Sequence, residues 1–170
     1  MALEKTIQIE KSAIIAVPIE KLWDITANDF HNVDAWISGV NNSKGYGNGL
    51  NAERSCLPSY KGFSQTTERI VAYDPEQHRF TYKIVKGLPG FVESAQNEWI
   101  HRSTSNGTTI TMEVTMKVSG LMGYLMGGIM KKKMGKILDD ALEELKTYAE
   151  TGQVHPRKRT ASEKYTMSLN

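Results

Sequence analysis

A stretch from Gly120 to Glu150 constrains the fold of this chain most, because it has the pattern of one continuous helix. Its second half has apolar residues on one face and charged residues on the other, as a helix that packs on a core does. The apolar positions are Met134, Leu138, Ala141, Leu145 and Tyr148. About thirty helical residues would extend roughly 45 Å, which is longer than a single strand. We therefore expect a curved sheet to wrap around this helix.

The first half of the same stretch combines methionines with glycines. Methionine recurs every four residues, at Met122, Met126, Met130 and Met134. Glycines interrupt this row at Gly123, Gly127, Gly128 and Gly135. An interior glycine costs about 1 kcal/mol relative to alanine, so this half should be mobile, and unbranched methionine suits a pocket that accepts varied apolar molecules. We predict a lid over an apolar cavity at residues 120–130, with ordinary core packing of the methionines as the alternative.

Upstream of the helix, short segments alternate between apolar and polar residues, as the strands of a half-buried sheet do. The clearest are residues 92–102 and 108–118, joined around Asn106-Gly107, a dipeptide that favours a tight hairpin. Weaker or shorter strands are predicted at residues 5–16, 40–46, 52–57, 63–73 and 79–85. Pro18 and the helically spaced residues after it predict two short helices behind the first strand. This order predicts an α+β fold, in which the long helix covers a seven-stranded antiparallel sheet.

Length and charge limit the number of domains and the kinds of partner. The 170 residues fit one domain, and 21 basic against 19 acidic residues give a net charge of +2. Residues 157–170 alone carry +3, so the remainder is nearly neutral, which argues against a nucleic-acid-binding surface. The C-terminal residues lack apolar periodicity. We predict a ligand-binding domain over residues 1–152 and a basic, disordered tail over residues 153–170.

Metal ions and other cofactors are not expected. The single cysteine, Cys56, excludes an internal disulfide and a cysteine-based zinc site. The four histidines are scattered, and no two have the spacing that places both on one helical face. A secretion leader and a run of 18 apolar residues are not recognised, so we expect a cytoplasmic protein.

A set of residues spread over positions 8–148 is similar to a known family. The set comprises Ala16-Val17-Pro18, Leu22-Trp23, Asp29-Phe30, Trp36, Gly49 to Arg54, Glu68-Arg69-Ile70, Tyr73-Asp74, Phe80, Tyr82 and Gly107-Thr108. It resembles the START-like, or polyketide cyclase/dehydrase and lipid transport, superfamily (SRPBCC, Bet v 1-like). The resemblance implies the helix-grip fold, in which a seven-stranded sheet wraps the C-terminal helix around a cavity. Such a cavity would hold a small hydrophobic molecule, lipid or polyketide-like, in a carrier or sensor.

Arg54 and Glu68 are the most informative candidates for contact with a ligand. They lie on neighbouring predicted strands, and if both face the cavity each would compensate the buried charge of the other. The alternative is that one or both face solvent. The pair Glu68-Arg69 resembles that of plant hormone receptors of the same superfamily, which implies that the glutamate faces the cavity. The full predicted ligand-binding set is Trp36, Arg54, Glu68, Tyr82, Trp99, Met112, Met122, Met126 and Met130.

Two functions of different classes are compatible with these residues. A glycine-flanked serine nucleophile and a phosphate-binding glycine loop are not found in the sequence. The leading hypothesis is therefore a carrier or sensor that binds a small hydrophobic molecule without converting it. The alternative is a polyketide aromatase/cyclase or dehydratase-like enzyme, in which Glu68, Tyr82 and Arg54 would be the acid/base candidates. Catalytic residues are not assigned.

A basic cluster accompanies the methionine segment. It consists of Lys131, Lys132, Lys133 and Lys136. Such a cluster is usually a solvated face, and the alternative is weak contact with an anionic membrane surface. A third class of function would use the basic tail as an interaction module. We expect a monomer or a weak dimer.

Overall fold

The computed structural model describes residues 4–61 and 63–170, and within them it contains seven strands and three α-helices. The strands are β1 (Glu4–Ile15), β2 (Val40–Tyr46), β3 (Glu53–Pro58), β4 (Thr66–Asp74), β5 (Arg79–Lys86), β6 (Val92–Thr104) and β7 (Gly107–Ser119). The α-helices are α1 (Ile19–Trp23), α2 (Gly120–Thr151) and α3 (Pro156–Ser168). A π-helical turn over Asp24–Asn28 extends α1, and a 3-10 helix follows at Phe30–Ala35.

All seven strands form one antiparallel sheet in the order β1-β7-β6-β5-β4-β3-β2. Strands β2 to β7 each pair with their neighbour in the chain, because the turns between them are too short for a crossover. Strand β1 pairs with β7, so that Ile7 lies opposite Met116. The predicted α+β helix-grip architecture, with two short helical segments after the first strand, is confirmed.

The hairpin between β6 and β7 forms where Asn106-Gly107 predicted it. Thr104 pairs with Gly107 at the end of the ladder. Gly107 has a φ of +127°, and a Cβ atom there would collide with the carbonyl oxygen of Ile15. Only glycine satisfies both conditions, since it lacks Cβ and adopts positive φ without strain. The hairpin turn is thus tied to the end of β1.

Curvature of the sheet gives helix α2 a concave face to pack against. The ladder between β4 and β5 is shifted at Glu68 and again at Ala72, and such bulges bend and twist a strand. The helix buries Leu138, Ala141, Leu142, Leu145 and Ala149 in the core. It ends at Gly152, which adopts a left-handed conformation with a φ of +72° and donates its N–H to the carbonyl of Tyr148.

The tail differs from the disorder predicted for residues 153–170. Helix α3 begins at Pro156, and Nδ1 of His155 caps it by accepting the N–H of Arg157 at 3.1 Å. Lys158 is buried, and its Nζ donates to the carbonyl of Val40 at 2.9 Å. The prediction failed because it relied on apolar periodicity, whereas polar side chains anchor this helix. A domain boundary at residue 152 stays a prediction.

None of the helices in the described ranges combines the length and the apolarity that crossing a bilayer requires.

Candidate ligand-binding cavity

A cavity of about 210 Å³ lies between the concave face of the sheet and helix α2. Its sheet side is formed mainly by Ala95, Asn97 and Trp99 of β6 and by Met112, Val114 and Met116 of β7. These residues share one face because side chains two apart on a strand point the same way. Met134, Ile137, Leu138 and Ala141 of α2 form the opposite wall. An apolar cavity of about 150 Å³ takes up benzene, so this one has room for a molecule of one or two small rings.

Two aromatic side chains mark where the cavity meets solvent. Tyr60 and Phe63 lie between β3 and β4, line the cavity and are both exposed. Their rings pack edge to face with centroids 6.1 Å apart. Phe63 was predicted to begin a strand, but β4 starts at Thr66. The connection before β4 thus supplies an apolar rim at the entrance.

Arg54 and Glu68 form a buried ion pair next to the cavity. They lie directly opposite each other on β3 and β4. Nε and Nη2 of Arg54 each lie 2.7 Å from Oε2 of Glu68. Glu68 lines the cavity itself. Of the two orientations left open by the sequence, the structure has the one in which both side chains point inward and neutralise each other.

The guanidinium of Arg54 is fixed by hydrogen bonds and by two aromatic rings. Nη1 donates to the carbonyl of Phe30 at 2.7 Å, and its Cζ lies 3.9 Å from the centre of the Phe30 ring and 5.1 Å from that of Tyr82. Burial lowers the pKa of Arg54, but the Glu68 carboxylate together with Cys56 and Tyr82 outweighs this effect, and the pKa is raised. Arg54 is therefore a fixed cation that joins the 3-10 helix to the sheet.

A second, much smaller space lies behind the cavity. This void of about 10 Å³ is lined by Trp36, Arg54, Tyr82 and Trp99 among others. It is at most large enough for one water molecule. Tyr82 and Trp99 line both spaces and separate them, whereas Trp36 and Arg54 line only the void. Trp36 and Arg54, both predicted as ligand contacts, thus lie one layer away from the cavity.

Two buried polar atoms beside the cavity have no hydrogen-bond partner within the described part of the chain. They are Oδ1 of Asn97 and Nε1 of Trp99, and both side chains are 5 % exposed. The amide nitrogen of Asn97 donates to the Tyr82 hydroxyl at 3.4 Å. Buried polar atoms are nearly always paired, so an acceptor and a donor are available to a ligand here. Sequence reasoning missed Asn97, although its alternation with Ala95 and Trp99 was a usable signal.

The ionisable groups in the cavity wall other than the ion pair remain neutral at physiological pH. Burial raises the pKa of Tyr82 to about 12, and the nearby Glu68 carboxylate contributes to the rise. Burial likewise raises the pKa of Cys56 to about 11. A phenol and a thiol with such values stay protonated. They do not act as bases or nucleophiles at that pH.

His101 is a further buried polar residue that sequence reasoning did not single out. Its Nδ1–H donates to the carbonyl of His78 at 2.9 Å, and its Nε2 lies 2.9 Å from the Thr26 hydroxyl, which in turn donates to the carbonyl of Leu22 at 2.9 Å. Burial lowers the pKa of His101 to about 4, so the ring is neutral. The ring packs edge to face on Trp23, 5.3 Å between centroids. His101 is a core residue that ties α1 and its π-helical turn to the sheet.

Within residues 4–61 and 63–170, no three histidine, cysteine, aspartate or glutamate side chains are grouped closely enough to hold a metal ion.

The family model for polyketide cyclase / dehydrase and lipid transport matches residues 6–150. The chain belongs to this family. The resemblance drawn from the sequence is thereby confirmed. A search of curated proteins returned no significant match.

Solved structures share the fold of this family member at low sequence identity. Ara h 8.0201 is 18% identical with a TM-score of 0.62, over 85% of this chain and 98% of its own. Norcoclaurine synthase from Thalictrum flavum, in complex with dopamine and hydroxybenzaldehyde, is 14% identical with a TM-score of 0.63, over 85% and 87%. The di-domain ARO/CYC StfQ from the steffimycin biosynthetic pathway is 13% identical with a TM-score of 0.71, over 85% and 51%. These similarities establish the fold.

The methionines of this polyketide cyclase / dehydrase and lipid transport family member fall into two groups. Met112, predicted as a ligand contact, lines the cavity together with Met116 and Met134. The other three predicted contacts, Met122, Met126 and Met130, are not among the lining residues. Met122 is 61 % exposed, and helix α2 is continuous from Gly120 to Thr151. A lid over residues 120–130 stays a prediction.

Proposed function

We propose that this protein binds a small, mainly apolar molecule in the cavity and acts as its carrier or sensor. The observation that carries this proposal is the unpaired Oδ1 of Asn97, a buried acceptor in an otherwise largely apolar enclosure. Ligand pockets combine apolar walls with a few placed polar groups in this way. Membership in a family described by polyketide cyclase, dehydrase and lipid transport supports the same function.

Size and polarity narrow the class of ligand. The volume of about 210 Å³ is below the roughly 300 to 1,000 Å³ of typical ligand pockets. It favours a compact aromatic, polyketide-like molecule over a long acyl chain. The unpaired acceptor on Asn97 favours a ligand that carries a hydroxyl or N–H group. The rings of Tyr60 and Phe63, at the entrance of the cavity, offer aromatic surface to the part of the ligand nearest the solvent.

A second candidate function is catalysis of the aromatase/cyclase or dehydratase kind. It is favoured by the presence of Glu68 and Tyr82 in the wall of one cavity, and StfQ, a structural neighbour, is described as an ARO/CYC protein. Proton transfer by Glu68 would require it to leave Arg54, to which it is bound at 2.7 Å. Tyr82, whose pKa is raised to about 12, is a weak acid. The carrier or sensor function therefore ranks first.

The test compares naphthol with naphthalene as probes in ligand-observed NMR. The hydroxyl of naphthol can donate to Asn97 Oδ1, so we expect it to bind about fivefold more tightly, the value of one net hydrogen bond. An Asn97→Leu variant should bind both probes equally. An Ala141→Leu variant should bind neither, because the larger side chain occupies the cavity. The matched control is Ala72→Leu, at an exposed position of β4.

Three results would overturn the proposal. The first is a lack of binding of either probe by the unmodified protein. The second is binding that survives in Ala141→Leu as it does in Ala72→Leu, since the probe would then lie elsewhere. The third is conversion of a linear poly-β-ketone analogue that is lost in Glu68→Gln, which would establish the enzyme instead. Mass spectrometry of the reaction mixture detects that conversion.

A further inference from the structure

The outer face of the first three turns of α2 is apolar and exposed. Leu121, Met122, Leu125 and Ile129 are 65 %, 61 %, 66 % and 51 % exposed. At 100° per residue these four side chains fall within one third of the helix circumference. Isolated apolar residues on a surface are ordinary, but a contiguous group of this kind indicates a binding surface. We call these four residues the α2 outer face.

The inner face of the same turns is built from glycine. Gly123 and Gly127 are buried against the sheet. A Cβ atom at Gly123 would lie 3.0 Å from Cβ of Val118, and one at Gly127 would lie 3.2 Å from the side chain of Lys5. The usual arrangement of an amphipathic helix is therefore reversed here, with small residues inside and large apolar residues outside. The close approach of the helix to the sheet leaves the large side chains no core to enter.

A cluster of lysines follows the α2 outer face along the same helix. The segment from Gly120 to Leu138 contains Lys131, Lys132, Lys133 and Lys136 and has no aspartate or glutamate. Lys136 pairs with Asp140 at 2.8 Å. Lys131, Lys132 and Lys133 form no ion pair with any carboxylate in the described ranges of the chain. Lys132 and Lys133 continue the direction of the α2 outer face, whereas Lys131 lies on the side of the helix toward Gln8 and Glu10 of β1. Two positive charges thus remain available one turn beyond the α2 outer face.

We propose that the α2 outer face docks on an anionic phospholipid bilayer. Its four apolar side chains would enter the boundary between headgroups and acyl chains, and Lys132 and Lys133 would contact lipid phosphates. The uniform positive charge of residues 120–138 favours an anionic bilayer over a second copy of the chain as the partner. A two-fold pairing would bring two lysine clusters to one interface without an acidic residue from this segment to match them. Vesicle binding does not depend on a ligand in the cavity.

Sedimentation with vesicles tests the role of charge. We expect the protein to bind vesicles of phosphatidylcholine with about 30% phosphatidylserine and not vesicles of phosphatidylcholine alone, with binding weakened by salt. A variant with Lys132→Gln and Lys133→Gln should bind about 25-fold more weakly, since each lysine near an anionic surface contributes about fivefold. The matched control removes the same charge elsewhere, by Lys83→Gln and Lys86→Gln, both exposed positions. It should bind within a few-fold of the unmodified protein because these lysines lie outside the cluster.

A second pair of variants tests the apolar contribution. Leu125→Ser with Ile129→Ser should lower vesicle binding by at least about tenfold, because it removes apolar area that the bilayer would bury. Leu50→Ser with Leu169→Ser, at two other exposed apolar positions, should not. Circular dichroism and melting curves confirm that each variant is folded. The proposal is overturned if the unmodified protein does not bind anionic vesicles, or if each variant binds as its control does. It is also overturned if the protein is a dimer that Leu125→Ser with Ile129→Ser dissociates, since a second copy then occupies this face.

Discussion

Replacement of Arg157 by methionine is expected to destabilise the protein, because it leaves a buried carboxylate without its cation. Glu144 on α2 is fully buried and accepts three hydrogen bonds. Ser38 supplies two, from its backbone N–H at 2.8 Å and its hydroxyl at 2.6 Å, and Nη1 of Arg157 supplies the third at 2.9 Å. Arg157 also pairs with Glu143 at 2.6 Å. One carboxylate thus joins α2, the segment after the 3-10 helix, and α3.

The size of the loss follows from the burial of the two partners. Loss of one partner of a fully buried ion pair costs about 3 to 5 kcal/mol. The side chain of Arg157 is 34% exposed, so solvent screening reduces this value. A charged hydrogen bond contributes about 1.5 to 3 kcal/mol, and we expect a loss of about 2 kcal/mol. For a chain of this length that lowers the melting temperature by about 4 to 8 °C.

Urea unfolding followed by circular dichroism measures this effect. The matched control is Arg159→Met, two positions along the same helix and exposed. It should change the free energy of unfolding by less than about 0.5 kcal/mol. Combining Arg157→Met with Glu144→Gln should recover part of the loss, because the stranded charge is then removed. Equal stability of the two single variants would refute the reasoning and would indicate that α3 does not pack on α2.

Two further predictions concern α2 and the buried histidine. Gly128→Ala should stabilise the protein by up to about 1 kcal/mol in thermal unfolding, because a Cβ there meets nothing within 4 Å; Gly123→Ala, which would crowd Val118 at 3.0 Å, should not. A gain of equal size in both would contradict this packing. The pKa of His101 is 6.5 in the unfolded chain and about 4 in the folded protein. The free energy of unfolding is therefore highest above the first value and decreases as the pH is lowered from the first value toward the second. We expect a loss of about 2 kcal/mol between about pH 7 and pH 5, measured by urea unfolding and reduced in His101→Gln; an equal loss in that variant would assign it to other groups.

The strands could be predicted because their signals are local. Alternation along β7 and the Asn106-Gly107 turn each occupy a few consecutive residues, and the structure has both. The inward orientation of Arg54 and Glu68 could be stated only as one of two options. One residue of register decides which face of the sheet a side chain occupies, and the bulge next to Glu68 shifts that register.

The contacts that the sequence did not predict join distant residues through polar atoms. Glu144 lies 106 positions from Ser38, and neither residue differs locally from the many exposed glutamates and serines. Helix α3 is held by Arg157 and Lys158, whose side chains ordinarily indicate a solvated surface. Asn97 was overlooked for the same reason, since a polar residue on a strand is usually placed on the solvent face.

The most direct measurement of ligand binding in the cavity is a crystal structure of the protein with naphthol. We predict electron density for the probe between β6, β7 and α2, with its hydroxyl within hydrogen-bond distance of Asn97 Oδ1. Ala95 and Ala141 would contact opposite sides of the ring, since both line the cavity. A cavity without the probe at saturating concentration, or a probe bound with its hydroxyl away from Asn97, would contradict the account.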